Sequence, residues 1–152
     1  LEGGSEVEDS VKRIIDSGVP VMGHLGLTPQ SIYKFGTYTV RAKEKEEAKK
    51  LKNDIKKLEK AGCFAIVLEK IPAKLAKEIA QSTHIPIIGI GAGVQVDGQV
   101  LVMHDMLGIN VDFNPRFLRR YSNLSDTINT AVHKYISDVK RQNFPNKDEE
   151  YS

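Results

Sequence analysis

Glu69 and His24 stand where side chains often do chemistry in α/β proteins. Glu69 follows directly on the apolar run Cys63-Phe64-Ala65-Ile66-Val67-Leu68, and His24 follows Val19-Pro20-Val21-Met22 within Gly23-His24-Leu25-Gly26. An apolar run without alternation fits a strand buried on both faces, as in a parallel sheet. A carboxylate at the end of such a strand can act as a base once partial burial has raised its pKa. Spacing alone favours a plainer reading of Glu69, a surface acid paired with Lys70. His24 has two readings as well: it orients Glu69, or it is a loop histidine satisfied by its neighbours. Gly23 and Gly26 allow the tight backbone that brings this loop over a site.

Other candidate groups carry less. Gly89-Ile90-Gly91-Ala92-Gly93 is not the G-x-G-x-x-G dinucleotide fingerprint, which opens a helix directly. Its glycines straddle a strand end and read as a close-approach wall. His104-Asp105 could be a metal pair, but a structural hydrogen bond near a short helix is the better reading. His84 and His133 read as helix-end or surface residues, and Cys63 as a small core residue. The lysine-rich stretch 43–60 is interleaved with Glu44, Glu46, Glu47, Asp54 and Glu59, which describes a solvated helix face.

The elements that must position these groups alternate. Val7, Val11, Ile14 and Ile15 form a short amphipathic stripe ending at Gly18. A strand is expected at 19–22 and a long loop with a short helix at 27–40. Ala48, Leu51, Ile55 and Leu58 predict a helix over 42–61. A strand at 63–68 follows, then a helix with Pro72 at its first position and Leu75, Ala76 and Ile79 on its apolar face. Residues 85–90 read as another buried strand, 98–107 as a short helix, and 124–142 as an amphipathic helix. Helix and strand in alternation argue α/β with a parallel sheet.

Composition narrows the function classes. The chain has 152 residues and one Cys, with 22 Lys plus Arg against 20 Asp plus Glu and a net charge of +2. That balance gives no support to nucleic-acid binding. Its apolar runs are far shorter than the roughly 20 residues of a membrane span. A single Cys excludes an internal disulfide and a Cys-based zinc site. A reducing, cytoplasmic setting is the default expectation.

Four stretches, in order, carry a resemblance: Leu1-Glu2-Gly3-Gly4; Gly23-His24-Leu25-Gly26-Leu27-Thr28-Pro29-Gln30-Ser31; Val67-Leu68-Glu69 with Pro72; and Ile87-Ile88-Gly89-Ile90-Gly91-Ala92-Gly93 with Asp97-Gly98-Gln99-Val100-Leu101-Val102 and His104-Asp105. Together, over residues 1 to about 145, the chain resembles the ketopantoate hydroxymethyltransferase family. The resemblance implies an α/β fold, a (β/α)₈ TIM barrel of the phosphoenolpyruvate/pyruvate type. This chain would be its later part, since a full barrel needs about 250 residues. Residues 1–142 would then be the C-terminal part of one barrel domain and 143–152 a polar tail.

The resemblance also implies a reaction: hydroxymethyl transfer from the cosubstrate 5,10-methylenetetrahydrofolate to 3-methyl-2-oxobutanoate, giving 2-dehydropantoate on the way to pantothenate and coenzyme A. It implies Mg²⁺ and a homodecamer; from charge balance and the short apolar runs, no nucleic acid or membrane partner is expected. By the same resemblance Glu69 is the catalytic base, His24 binds the keto acid, and Glu2 belongs to the Mg²⁺ site directly or through water. Two metal-binding aspartates and a substrate-binding lysine of the family would lie before Leu1. Where the family often carries Gly in a basic stretch, this chain has Arg41-Ala42-Lys43, and Ala resists the positive φ that Gly accepts. Two alternatives stand beside this reading: an inactive or assembly-only partial barrel, and another Mg²⁺-dependent keto-acid lyase.

Overall fold

The computed structural model describes residues 1–36 and 38–151, and for Lys34 and Phe35 the backbone alone. The chain falls into two units, Leu1–Val100 and Leu101–Ser152.

The first unit is α/β. Its sheet holds β1 (Met22–Gly26), β2 (Ala65–Glu69), β3 (Ile87–Ile90) and the short β4 (Gly98–Gln99), in sequential order and all parallel. Sequential parallel order follows from the helices between the strands, since a parallel connection needs a crossover. α1 (Glu8–Asp16) precedes β1, α2 (Ile32–Phe35) and α3 (Lys45–Lys60) join β1 to β2, and α4 (Ala73–Ser82) joins β2 to β3. A 3₁₀ turn at Ser5–Val7 precedes α1, and another at Pro29–Ser31 precedes α2.

The two faces of the sheet differ. Leu25, Ile66, Leu68 and Ile87 are buried in one core with Val11 of α1, Leu51, Ile55 and Leu58 of α3, and Leu75, Ala76 and Ile79 of α4. Met22, His24, Val67, Glu69, Ile88 and Ile90 alternate with them along the strands and are half-buried. Side chains alternate between faces with a period of two, so the sheet's chemistry-bearing face is the one these helices leave open.

β1 differs from the expected strand at 19–22. Val19 is exposed and Pro20 has no N–H to offer, so pairing starts at Met22. His24 is therefore inside the strand, not in a loop beyond it. Gly23 is on the core face, where a Cβ would come within 3.1 Å of Leu58 Cδ1. The lysine-rich helix begins at Lys45, not at 42, because Ala42 takes φ +54°. Ala42 thus adopts the conformation that alanine resists. Its N–H donates to Glu47 Oε2 at 2.7 Å, and the Arg41 guanidinium pairs with the same carboxylate. The expected helix at 98–107 divides into β4 and a later short helix. Asp97 causes the division: its Oδ2 accepts from Ile87 N at 2.8 Å and its N–H donates to Ile87 O at 3.0 Å, which starts a strand.

The second unit contains α5 (Met103–Met106) and α6 (Leu124–Lys140). Arg120 Nη2 ties the irregular stretch between them by donating to the carbonyls of Asn110, Val111 and Phe113 at 3.0–3.3 Å. On α6, Ile128, Val132, Tyr135, Ile136 and Val139 form an apolar stripe, each side chain 40–55% exposed. Among the described residues no helix is long and apolar enough to cross a membrane.

Candidate active site

Backbone pairing brings Glu2 to His24. Leu1 N donates to Met22 O at 2.8 Å, His24 N to Leu1 O at 2.9 Å, and Gly3 N to His24 O at 3.2 Å. Glu2 and His24 form a parallel bridge, so residues 1–3 run along β1 opposite β2. On the other side Gly26 pairs with Glu69. Parallel register then puts Glu2, His24 and Glu69 on one face.

Their side chains converge. His24 Nδ1 is 3.5 Å from Glu2 Oε1, and His24 Nε2 is 3.2 Å from Glu69 Oε2. The imidazole sits between two carboxylates, and the three side chains are 15–19% exposed. Glu2 Oε2 also accepts the Gln30 N–H at 3.1 Å, which fixes the carboxylate against the 3₁₀ turn. Despite its short distance to Glu69, His24 Nε2 makes no hydrogen bond of acceptable geometry and is buried. A buried polar atom without a partner is unfavourable, and a ligand oxygen at this point would relieve it.

The end of β2 is built tightly. Glu69 O accepts the Leu27 N–H at 2.8 Å. Gly26 has φ +92°, and a Cβ there would meet Glu69 O at 2.2 Å. Lys70 does not pair with Glu69. It takes φ +51° and its ammonium donates to Tyr38 O.

The other candidates are structural. The glycines after β3 do make a close approach, but to α4: a Cβ on Gly93 would meet Ala73 Cβ at 2.4 Å. Asp105 is buried and accepts from Asn110 Nδ2 at 3.0 Å, while His104 is exposed. His84 and His133 are exposed too. Cys63 is buried, and burial raises its thiol pKa. Among the described residues no three His, Cys, Asp or Glu side chains are grouped to hold a metal ion.

Sequence reasoning missed Asp54. It is 4% exposed, accepts the Ser5 N–H at 3.2 Å through Oδ1, and takes the Lys50 ammonium on Oδ2. Gly4 packs so closely that a Cβ would lie 2.3 Å from its Cγ. Asp54 thus fixes α3 to the residues that follow Glu2. The signal was present: Leu51, Asp54, Ile55 and Leu58 share one helix face.

The sequence profile of the ketopantoate hydroxymethyltransferase family matches residues 1–147. The chain belongs to this family. It is 69% identical over 151 residues to the 3-methyl-2-oxobutanoate hydroxymethyltransferase of Christiangramia forsetii, 67% to that of Parabacteroides distasonis and 64% to that of Flavobacterium johnsoniae. Each alignment covers 99% of this chain but only 55–56% of the relative. The chain therefore spans little more than half the length of the curated relatives it matches.

Proposed function

We propose that the chain is the C-terminal portion of an enzyme that transfers a hydroxymethyl group from 5,10-methylenetetrahydrofolate to 3-methyl-2-oxobutanoate, giving 2-dehydropantoate. The observation that carries this reading is the convergence of Glu2, His24 and Glu69 on the open face of a parallel sheet. The sheet would be a sector of a (β/α)₈ barrel, whose active site lies at the carboxyl ends of its strands. Residues 1–142 would belong to that one domain, with 143–152 as a tail. Homodecameric assembly in the cytoplasm completes the reading, and the exposed apolar stripe of α6 supports burial in a larger assembly.

Glu69 is the base in this reading. Its carboxylate removes the proton from C3 of the keto acid, and the C–H electron pair becomes the enolate. Water hydrolyses both C–N bonds of the folate methylene, releasing tetrahydrofolate and a one-carbon aldehyde. The enolate carbon bonds to the aldehyde carbon, the C=O π pair moves to oxygen, and that oxygen takes the proton held by Glu69 to complete the hydroxymethyl group. His24 Nε2, buried and without a hydrogen-bond partner, would donate to a keto-acid oxygen while its ring limits the movement of Glu69. Glu2 offers the hard oxygen donor that Mg²⁺ prefers, and its Oε1 has no contact shorter than 3.5 Å to His24. It fits as one ligand, direct or through water, with the remaining ligands supplied from beyond the described residues. Bound Mg²⁺ would supply Lewis-acid stabilisation of charge on the keto oxygen.

The test is Glu69→Gln in a full-length polypeptide carrying this chain. We expect the fold and keto-acid binding to persist. C3 proton exchange, followed by proton NMR in D₂O, should fall by the roughly 10²–10⁴-fold typical of a general base. Exchange at the wild-type rate removes Glu69 from this role. A wild-type enzyme that makes no 2-dehydropantoate from the two substrates overturns the reaction.

A further inference from the structure

We infer that Lys70 is a positioning residue: it latches residues 38–41 across the carboxyl end of β2 and thereby holds the Glu69 carboxylate toward His24. The inference rests on the reading of Glu69 as the base.

Lys70 follows Glu69 directly and holds a left-handed backbone, φ +51°. Glycine takes that conformation with little strain, and lysine does not. A strained non-glycine residue beside a candidate base points to work done by its side chain. All the polar groups of Lys70 are engaged, and each reaches a different element. Its N–H donates to Ile90 O at the end of β3, at 2.8 Å. Its carbonyl accepts the Arg41 N–H at 2.9 Å. Its ammonium donates to Tyr38 O.

Lys70 thus grips residues 38–41 at two points, one through backbone and one through side chain. Just beyond the grip, Glu47 holds the same segment through the Arg41 guanidinium and the Ala42 N–H. On the strand side, Glu69 O is fixed by the Leu27 N–H at 2.8 Å. Both groups of the Glu69–Lys70 peptide are bonded, Glu69 O by the Leu27 N–H and Lys70 N–H to Ile90 O, and the loop holds the next carbonyl, Lys70 O, through the Arg41 N–H. Releasing the loop removes this last restraint on the backbone that follows Glu69 and loosens the aim of its carboxylate. A base displaced by about 1 Å can lose on the order of 10²-fold in rate.

Lys70→Met, Lys70→Gly and Lys70→Arg in a full-length polypeptide carrying this chain test the inference. Met removes the donor and keeps the stem. Gly removes the donor and relieves the backbone, so it reports even if the Met variant fails to fold. Arg retains a donor. Two quantities are measured: the rate of chymotryptic cleavage after Tyr38 in the native protein, and C3 proton exchange resolved into kcat and KM. We expect the Met and Gly variants to be cleaved about tenfold faster. Their exchange kcat should fall by about 10- to 100-fold, with KM for the keto acid within about twofold of wild type. The Arg variant should stay near wild type in both. Wild-type cleavage in the Gly and Met variants overturns the latch. Faster cleavage with an unchanged kcat overturns the positioning role, and so does a loss expressed wholly in KM. A Glu69→Gln enzyme that exchanges at the wild-type rate overturns the site reading instead, and the cleavage rates then decide the latch independently.

Discussion

Replacing Gly26 by alanine tests how the end of β2 is held. Gly26 has φ +92°, and an added Cβ would meet Glu69 O at 2.2 Å and Ile71 Cγ2 at 2.9 Å. Two effects add. An L-residue in this backbone region is strained by about 1–3 kcal/mol. The contact with Glu69 O is then about 1 Å too short for van der Waals packing, so one strand end must move away from the other. A shift of that size breaks the Leu27 N–H bond to Glu69 O, now 2.8 Å, a further loss of about 1 kcal/mol. The sum is about 2–4 kcal/mol, which for a chain of this size or larger lowers Tm by roughly 4–16 °C.

Gly18 supplies the control. Its φ of +89° nearly matches Gly26, yet a Cβ there would meet nothing within 4 Å. Gly18→Ala therefore isolates the backbone strain, and the difference between the two variants is the contact with Glu69. Thermal unfolding by circular dichroism gives the stabilities, and proton exchange in D₂O gives the function. We expect Gly26→Ala to melt several degrees below Gly18→Ala and to lose about 10²-fold in exchange as Glu69 moves, with Gly18→Ala at the wild-type rate. Equal melting temperatures and equal exchange in the two variants would refute the argument.

Asp54→Ala should destabilise by about 2–3 kcal/mol, because a buried carboxylate that accepts a backbone N–H and a lysine ammonium is lost and Ser5 N–H is left without its partner; Asp54→Asn keeps an acceptor and should lose less, as read by urea unfolding. Stability should also fall at both ends of the pH range. The Lys50 pKa is raised above 10.5, first by the hydrogen bond to Asp54, so its contribution is complete below 10.5 and disappears as pH rises through the higher folded value. The Glu6 pKa is lowered below 4.5, first by its own backbone N–H, so its contribution is complete above 4.5 and disappears as pH falls through the lower folded value. A Tm-against-pH curve checks both limbs, and Asp54→Ala should flatten the alkaline one.

The sequence shows most of this fold where hydrophobic pattern and element coincide. Residues 63–68 carry an unbroken apolar run, and β2 is found within a residue or two of it, at Ala65–Glu69. The stripe through Leu51, Ile55 and Leu58 likewise marks α3. β1 is less legible because two of its five residues are glycine and one is histidine. Its place is set by pairing with residues 1–3 and with β2, which local pattern does not record. The site divides the same way. Glu69 at the end of an apolar run is visible from sequence, but the contact of Glu2 with His24 depends on strand pairing between segments far apart in the chain. Lys70 reads as the ion partner of Glu69, and its left-handed backbone sends the ammonium to Tyr38 instead. Asp54 hid among alternating charges although it shares the apolar face of α3.

The alternation along β1 and β2 has a consequence for how such a sequence can diverge. His24 and Glu69 face away from the helices only because of their parity within Met22–Gly26 and Ala65–Glu69. A single codon inserted or deleted inside either strand would turn the imidazole or the carboxylate into the core, against residues such as Leu58, and turn leucines toward the site. The connections carry no such parity. Length variation can therefore accumulate in the connections outside the contacts made by Leu27, Gln30 and residues 38–42, while the two five-residue strands must keep their count and change by substitution alone.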